Sequence, residues 1–313
     1  MSAIAAMYHY VRPARPTPPA GIRPLSLDAF EQQLDWLQTH YRPLEPDAFA
    51  AEVRDGWHEP LPPALLTFDD GTRDHLDVAA PVLDRRGLRG VFFVLAGPSR
   101  DGTMPLTHAL HWALGDEDRL WDALVSTVGE TALGDPAEAR RIYHYEPDRR
   151  ARIKYAVNFA LDEDRARAVV AACLDSAGVN ERDLAEEWFL SEADVKTLRD
   201  RGHVVGVHGV SHRGLPILGA EAMSREIADC ADWLTDLLDE RPTWFACPFG
   251  GSGASDADRQ GLRDAVDAIG LRISVGTEKQ PIHGRRTDLH DLPRFDAIDL
   301  PPIGEALSLR SAA

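Results

Sequence analysis

Cysteine is scarce in this chain: three in 313 residues, Cys173, Cys230 and Cys247, without CxxC spacing. A small, odd and scattered set argues against a disulfide framework and for a reducing compartment. Long apolar runs are also missing. None approaches the roughly 20 residues that span a bilayer, so no membrane partner is expected. The start of the chain has neither a basic region nor a sustained apolar stretch, so no secretory leader is expected, and the expected location is cytoplasmic. Basic charge is in deficit, with 34 Lys and Arg against 51 Asp and Glu, a net charge of −17. A field of that sign repels phosphate polyanions and disfavours nucleic acid as a partner. No internal repeat or low-complexity tract stands out.

What is present is an ordinary globular composition, 44% apolar and 27% charged, in a length that suits one large α/β domain or two smaller ones. Short apolar runs alternate with helical patterns. "AIAAMYHYV", "PPALLTFDDG", "LRGVFFVLAG", "HVVGVHG", "PTWFACPFGG", "LRISVGT" and "LPRFDAID" read as strands. "SLDAFEQQLDWLQTHY" reads as a helix capped by Ser26, and "TRDHLDVAAPVLDRRG" as one stopped by Gly87 with Pro81 near its first turns. Such alternation implies βαβ units and a parallel sheet or barrel. Between residues 97 and 190 the pattern is helical and highly charged. The expected organisation is a single domain over 1–313 with a helical insertion, a cap or lid, at 97–190.

Chemistry concentrates in two places. "TFDDG" sets Asp69 and Asp70 at the end of an apolar strand. Successive strand residues face opposite ways, so both carboxylates serve one site only where the chain leaves the strand, and Gly71 supplies the bend. Adjacent carboxylates stay ionised more readily beside a cation. This divides the labour into one ligand and one base. By itself, DDG also reads as a polar turn. "GVHGVSH" carries His208 and His212 four residues apart. Gly209 stands where a metalloprotease helix motif has Glu, so that motif is excluded, and His208 falls at a strand end with His212 on the following loop. Two imidazoles and a carboxylate with open positions suit a catalytic metal better than a closed structural one. Two unrelated histidines remain the alternative.

These residues resemble the polysaccharide deacetylases of the NodB-homology group, carbohydrate esterase family 4. TFDDG resembles that family's first motif, and HGVSH its second, with Gly209 in place of the usual Ser or Thr. CPFGG resembles the third, with Phe249 for Tyr and with Ala246 where the usual Arg stands. The resemblance implies a distorted (β/α) barrel with the site at the C-terminal rim of its strands. It implies Asp70, His208 and His212 as ligands of a divalent metal, Zn²⁺ first, with Asp69 as base and the Phe249 backbone N–H as an oxyanion donor.

The general acid usually comes from a C-terminal motif that is absent here. Members with circularly permuted motifs carry it on an N-terminal strand, and "MYHYV" resembles that strand, which makes His9 the expected acid, with His283 and His290 as alternatives. Arg294 in "LPRFD" is the expected substitute for the missing third-motif Arg, with Arg12 as the weaker alternative. Trp112, Trp121, Trp188, Trp233 and Trp244 are candidates for stacking on a sugar, Trp121 and Trp233 more plausibly packing helix faces.

The expected activity is removal of an acyl group, acetyl foremost, from an amino-sugar-containing saccharide or metabolite. The expected partner is that small saccharide, and homo-oligomerisation is compatible with this reading. Two alternatives stay open: a fold relative acting on a non-sugar amide or cyclic imide, and a catalytically silent binding protein.

Overall fold

The structure is a computed structural model that describes residues 2–13, 21–144, 146–215, 218–250 and 255–304. Among the described residues the strands are β1 (Ile4–Tyr8), β2 (Val11–Arg12), β3 (Leu25–Ser26), β4 (Arg42–Pro43), β5 (Pro63–Phe68), β6 (Val91–Val94), β7 (Val204–Val207), β8 (Trp244–Ala246), β9 (Ile273–Val275) and β10 (Phe295–Asp296). One sheet has the order β10-β1-β5-β6-β7-β8-β9 with β4 added beside β5, while β2 and β3 pair separately. Every pairing in the main sheet is parallel.

Parallel strands covered on both faces read as continuous apolar runs. IAAMY, PALLTF and VFFV are buried at every residue. Alternation still sorts their side chains into two cores. Ile4, Ala6, Tyr8, Leu66, Phe68, Phe92 and Val94 pack with helix residues Phe30, Leu34, Ile227 and Val266. Ala5, Leu65, Val91, Phe93, Trp244 and Ala246 form the second cluster with Phe49 and Val53 of the Pro46–Asp55 helix. The curl is joined between β9 and β10 by a single parallel bridge, Val275 to Leu292, where Leu292 N donates to Ser274 O and Gly276 N to Leu292 O, both at 2.9 Å. The fold is thus the expected α/β type, a curled parallel sheet whose edges meet through a segment instead of a full ladder.

Contacts divide the chain into two compact units. The first holds the sheet and its helices. The second comprises Gly102–Glu187 with residues 21–23. It is built from helices that include Leu106–Ala113, Glu117–Val128 and Glu163–Ser176, and Leu120, Leu124, Val169, Val170 and Cys173 are buried in it. Among the described residues no helix is long and apolar enough to cross a membrane.

Local signals fare unevenly. Ser26 accepts from Ala29 N as a cap, and Ser191 and Asp194 complete a reciprocal capping box. The helix expected after TFDDG is instead a π-helical turn, His75–Ala79, followed by the α-helix Ala80–Arg85, which carries Pro81 in its first turn. Proline has no N–H to donate and its ring crowds the carbonyl four residues back, and a widened turn ahead of Pro81 makes that room.

Gly206 on β7 shows how tightly the inner face is filled: a Cβ there would lie 2.6 Å from the Phe93 ring. Gly206→Ala is therefore expected to lower stability by about 1–3 kcal/mol in urea unfolding. A variant indistinguishable from wild type would show that this face is slack.

Candidate active site

Strand register assembles the site. In β1 and β5, Tyr8 pairs with Phe68, and Asp69 N donates to Tyr8 O at 2.9 Å. The next residues, His9 and Asp69, therefore leave the sheet side by side. His208 follows β7, and Phe249 lies three residues beyond β8. All these strands are parallel, so their C-terminal ends share one rim.

Asp69 keeps the parity of Leu65 and Thr67 and faces inward. Asp70 would point outward, but it adopts a left-handed backbone, φ 81°, followed by Gly71 at φ 67°. The bend expected at Gly71 thus begins one residue earlier. Gly71 has no room for a side chain, since a Cβ would sit 3.1 Å from Val94. The turn brings Asp70 Oδ1 to 3.2 Å from both His208 Nε2 and His212 Nε2.

Among the described residues this trio is the one group of three with metal-ligating spacing, its ligand atoms all within 4.8 Å of one another. His208 Nδ1 lies 2.9 Å from the Ala246 carbonyl. A carbonyl only accepts, so Nδ1 carries the proton and the lone pair of Nε2 is aimed at the carboxylate. Lone pairs converging on a carboxylate oxygen repel unless a proton or a cation lies among them. Burial pushes the His208 imidazolium down, but its hydrogen bond to Asp70 and the charges of Asp69 and Asp70 push it up, and the net direction is up. The donor set of one carboxylate and two imidazoles therefore fits a divalent ion.

Asp69 is held differently. Arg294 meets it as a fork, Nη1 to Oδ1 at 2.6 Å and Nη2 to Oδ2 at 2.7 Å. The same guanidinium donates through Nη1 to Thr67 Oγ1 at 3.1 Å and through Nε to Gly276 O at 2.7 Å, and Thr67 Oγ1 donates to Ala6 O at 2.7 Å. Arg294 is 0% and Asp69 2% exposed. Burial pushes the Asp69 carboxyl up, but Arg294, His208 and His9 together outweigh it, so its pKa lies below the usual carboxylate range.

His9 is half-buried and its charge acts on Asp69. Of its flanking tyrosines, Tyr8 packs against Phe30 and Phe68 at ring distances of 5.0 and 5.2 Å, while Tyr10 meets Trp188 at 6.2 Å and feels the charge of Asp70. The His9 carbonyl accepts from His75 Nε2 at 3.0 Å. Phe249 has a left-handed backbone, φ 58°, and its ring meets His212 edge-on at 4.7 Å.

The other candidates lie elsewhere. His283 contacts Ser2 Oγ at 3.1 Å, and His290 faces Asp267 at 3.5 Å. Arg12 pairs with Asp74 at 2.7 Å and stacks over Tyr10 and Trp188. Trp188, Trp233 and Trp244 are buried at 2%, 7% and 0% exposure, which removes them as sugar platforms, and Trp121 is covered by Arg149 and Arg152. Gly276, which accepts from Arg294, and Glu226, which accepts from Val210 N and Ser211 N, were not foreseen from sequence. Thr67 lies within TFDDG, and His75 just after it, where a capping or packing role at the rim is the expectation.

The Asp69–Arg294 pair has a testable pH signature. Because the folded-state pKa of Asp69 is lowered, the pair's stabilisation is present above the unfolded carboxylate pKa, about 4, and fades as pH falls through the lower folded value. Arg294→Met leaves a buried unpaired charge and is expected to cost about 3–5 kcal/mol at neutral pH. Its unfolding curves should converge on those of wild type in acid. A gap independent of pH would mean that the lost stability is packing alone.

A family model described as polysaccharide deacetylase matches residues 157–266. That stretch includes HGVSH and CPFGG, and TFDDG lies outside it. No curated protein sequence matches the chain. Among solved structures, the Streptococcus pyogenes deacetylase PplD, in complex with acetate, aligns with a TM-score of 0.59 at 15% identity, covering 95% of this chain and 92% of that one. IcaB from Ammonifex degensii aligns at 0.56 and 17%, covering 94% and 90%. A de-N-acetylase from Aggregatibacter actinomycetemcomitans aligns at 0.54 and 12%, covering 95% and 96%. At these identities the likeness is one of fold. The chain is thus similar to polysaccharide deacetylases in two respects, the family match over residues 157–266 and the fold.

Proposed function

We propose that the chain is a divalent-metal-dependent N-deacetylase acting on an N-acyl amino sugar, free or within a small saccharide. The observation that carries this reading is the pair of unlike carboxylates at one rim: Asp70 facing two imidazoles, and Asp69 locked by Arg294 beside His9. Asp70, His208 and His212 would hold the ion, with Zn²⁺ the best match to this donor set. When bound, it would polarise the amide carbonyl and acidify a water.

The chain's own groups supply the rest. Asp69, kept ionised, takes the proton of the attacking water. Both its oxygens are engaged by Arg294, but each retains a further lone pair for that proton. The Phe249 N–H, presented by its left-handed turn, donates to the carbonyl oxygen as that atom gains charge. As the C–N bond breaks, the leaving nitrogen needs a proton, and His9 provides it. The His75 bond to the His9 carbonyl steadies the backbone that carries this acid.

We assign the protein to the cytoplasm because its three cysteines are unpaired and buried, as suits a reducing compartment. The acidic chain favours neutral or cationic substrates over polyanions.

The test is amine release from N-acetylglucosamine and its short oligomers, with a simple amide and a cyclic imide in parallel. His9→Ala should lose about 100- to 10,000-fold in turnover while keeping the zinc content of wild type. Asp70→Ala should lose both metal and turnover. Near-normal turnover in His9→Ala would remove the acid assignment, and zinc binding without any amide or imide hydrolysis would favour a silent binding protein.

A further inference from the structure

The loop that carries His212 is fastened from outside the ligand set. Val210 N and Ser211 N donate to Glu226 Oε2 at 2.9 and 3.0 Å, and Ser211 Oγ donates to Glu226 Oε1 at 2.7 Å. Glu226 belongs to the Ala220–Leu238 helix. On the other side of the loop, Ala96 N and Gly97 N donate to the carbonyls of Gly209 and Val210, both at 3.0 Å. The loop's carbonyls are thus pinned by backbone, and its N–H groups by one carboxylate.

This loop needs fastening, because it is left-handed at both ends, with Gly209 at φ 88° and His212 at φ 57°. A non-glycine residue in that region costs on the order of 1–3 kcal/mol and persists only where its surroundings impose it. The ligand set does not by itself impose it: the 3.2 Å contact of His212 Nε2 with Asp70 holds the tip of the ring and none of the backbone groups before it. The carboxylate of Glu226 does, through three bonds to the two residues just before His212. The second-motif departure has a local reason in the backbone itself: at Gly209 the φ of 88° would strain any side chain.

We propose that Glu226 is a positioning residue for the metal-ligand loop, setting His212 Nε2 against Asp70 and so governing the affinity and geometry of a divalent ion. This rests on the metal-site reading of Asp70, His208 and His212. Outer groups that orient ligands typically change metal affinity by roughly 10- to 100-fold when removed.

The experiment measures Zn²⁺ affinity by competition with a chromophoric chelator and the absorption spectrum of the Co²⁺-loaded full chain, together with the melting temperature of the metal-free protein. Glu226→Ala should weaken zinc roughly 10- to 100-fold and alter the Co²⁺ spectrum. Glu226→Gln, which keeps an acceptor for the two N–H groups, should recover most of that loss. Ser211→Ala, which removes only the hydroxyl bond, should lose about 2- to 10-fold, and it decides the matter if Glu226→Ala does not fold. Unchanged zinc affinity and Co²⁺ spectrum, with only the melting temperature lowered, would overturn the proposal and leave Glu226 a fold-stabilising group. A wild-type chain that binds zinc no better than His212→Ala would overturn the metal reading as well, which separates the two failures.

Discussion

The Arg294–Asp69 fork is the constraint on which the rest of the site depends. One guanidinium, wholly buried, reaches β5 through Thr67 and Asp69 and the exit of β9 through Gly276, while its own backbone leads into β10. β9 and β10 are the strands between which the curled sheet lacks a full ladder. The same bonds therefore close the curl and orient a carboxylate at its rim. Burying two charges is costly unless they are paired and hydrogen-bonded, and here the fork, the Thr67 hydroxyl and the Gly276 carbonyl take up four of the five guanidinium N–H groups. The cation that holds Asp69 comes from the segment leading into β10, and not from the Ala246 position beside CPFGG.

Strain is concentrated around the same rim. Of the four described non-glycine residues with positive φ, Asp70, His212 and Phe249 carry the groups of the candidate site, and the fourth, Asp239, ends a helix. Such conformations endure only where neighbours enforce them. Asp70 is followed by a glycine with no room for a side chain, His212 hangs from a loop held by Glu226, and Phe249 sits in a turn closed by Gly250 N to Cys247 O at 2.9 Å. A rim so preorganised suits chemistry that needs fixed donors at a developing charge.

Much of this was legible in the residues themselves. The strands showed as apolar runs because parallel strands are covered on both faces. The caps at Ser26 and Ser191 showed because capping chemistry is local. TFDDG and HGVSH showed because ligands in one turn or loop must lie close in sequence. Where reading failed, a distant partner decided. Trp188 and Trp244 looked available to a sugar, yet they fill cores whose other walls come from far along the chain. Glu226 looked like one more acidic residue on a helix, because nothing in its own segment marks the loop it holds. The π turn at His75–Ala79 reflects a competition between Pro81 and its preceding turn that periodicity does not register.

The sequence by itself determined the parts: two aspartates at a strand end, two histidines on one loop, a histidine between tyrosines, and the alternation that makes a parallel sheet. Those are consequences of residue type and short spacing, within reach of a few bonds along the chain. Only the tertiary structure decided which parts meet. Asp69 and Arg294 are 225 positions apart, and Asp69 and His9 are neighbours only through the register of β1 on β5. Register across parallel strands is set by the packing of both faces and by the connections between strands, and these are properties of the folded whole that no local pattern contains.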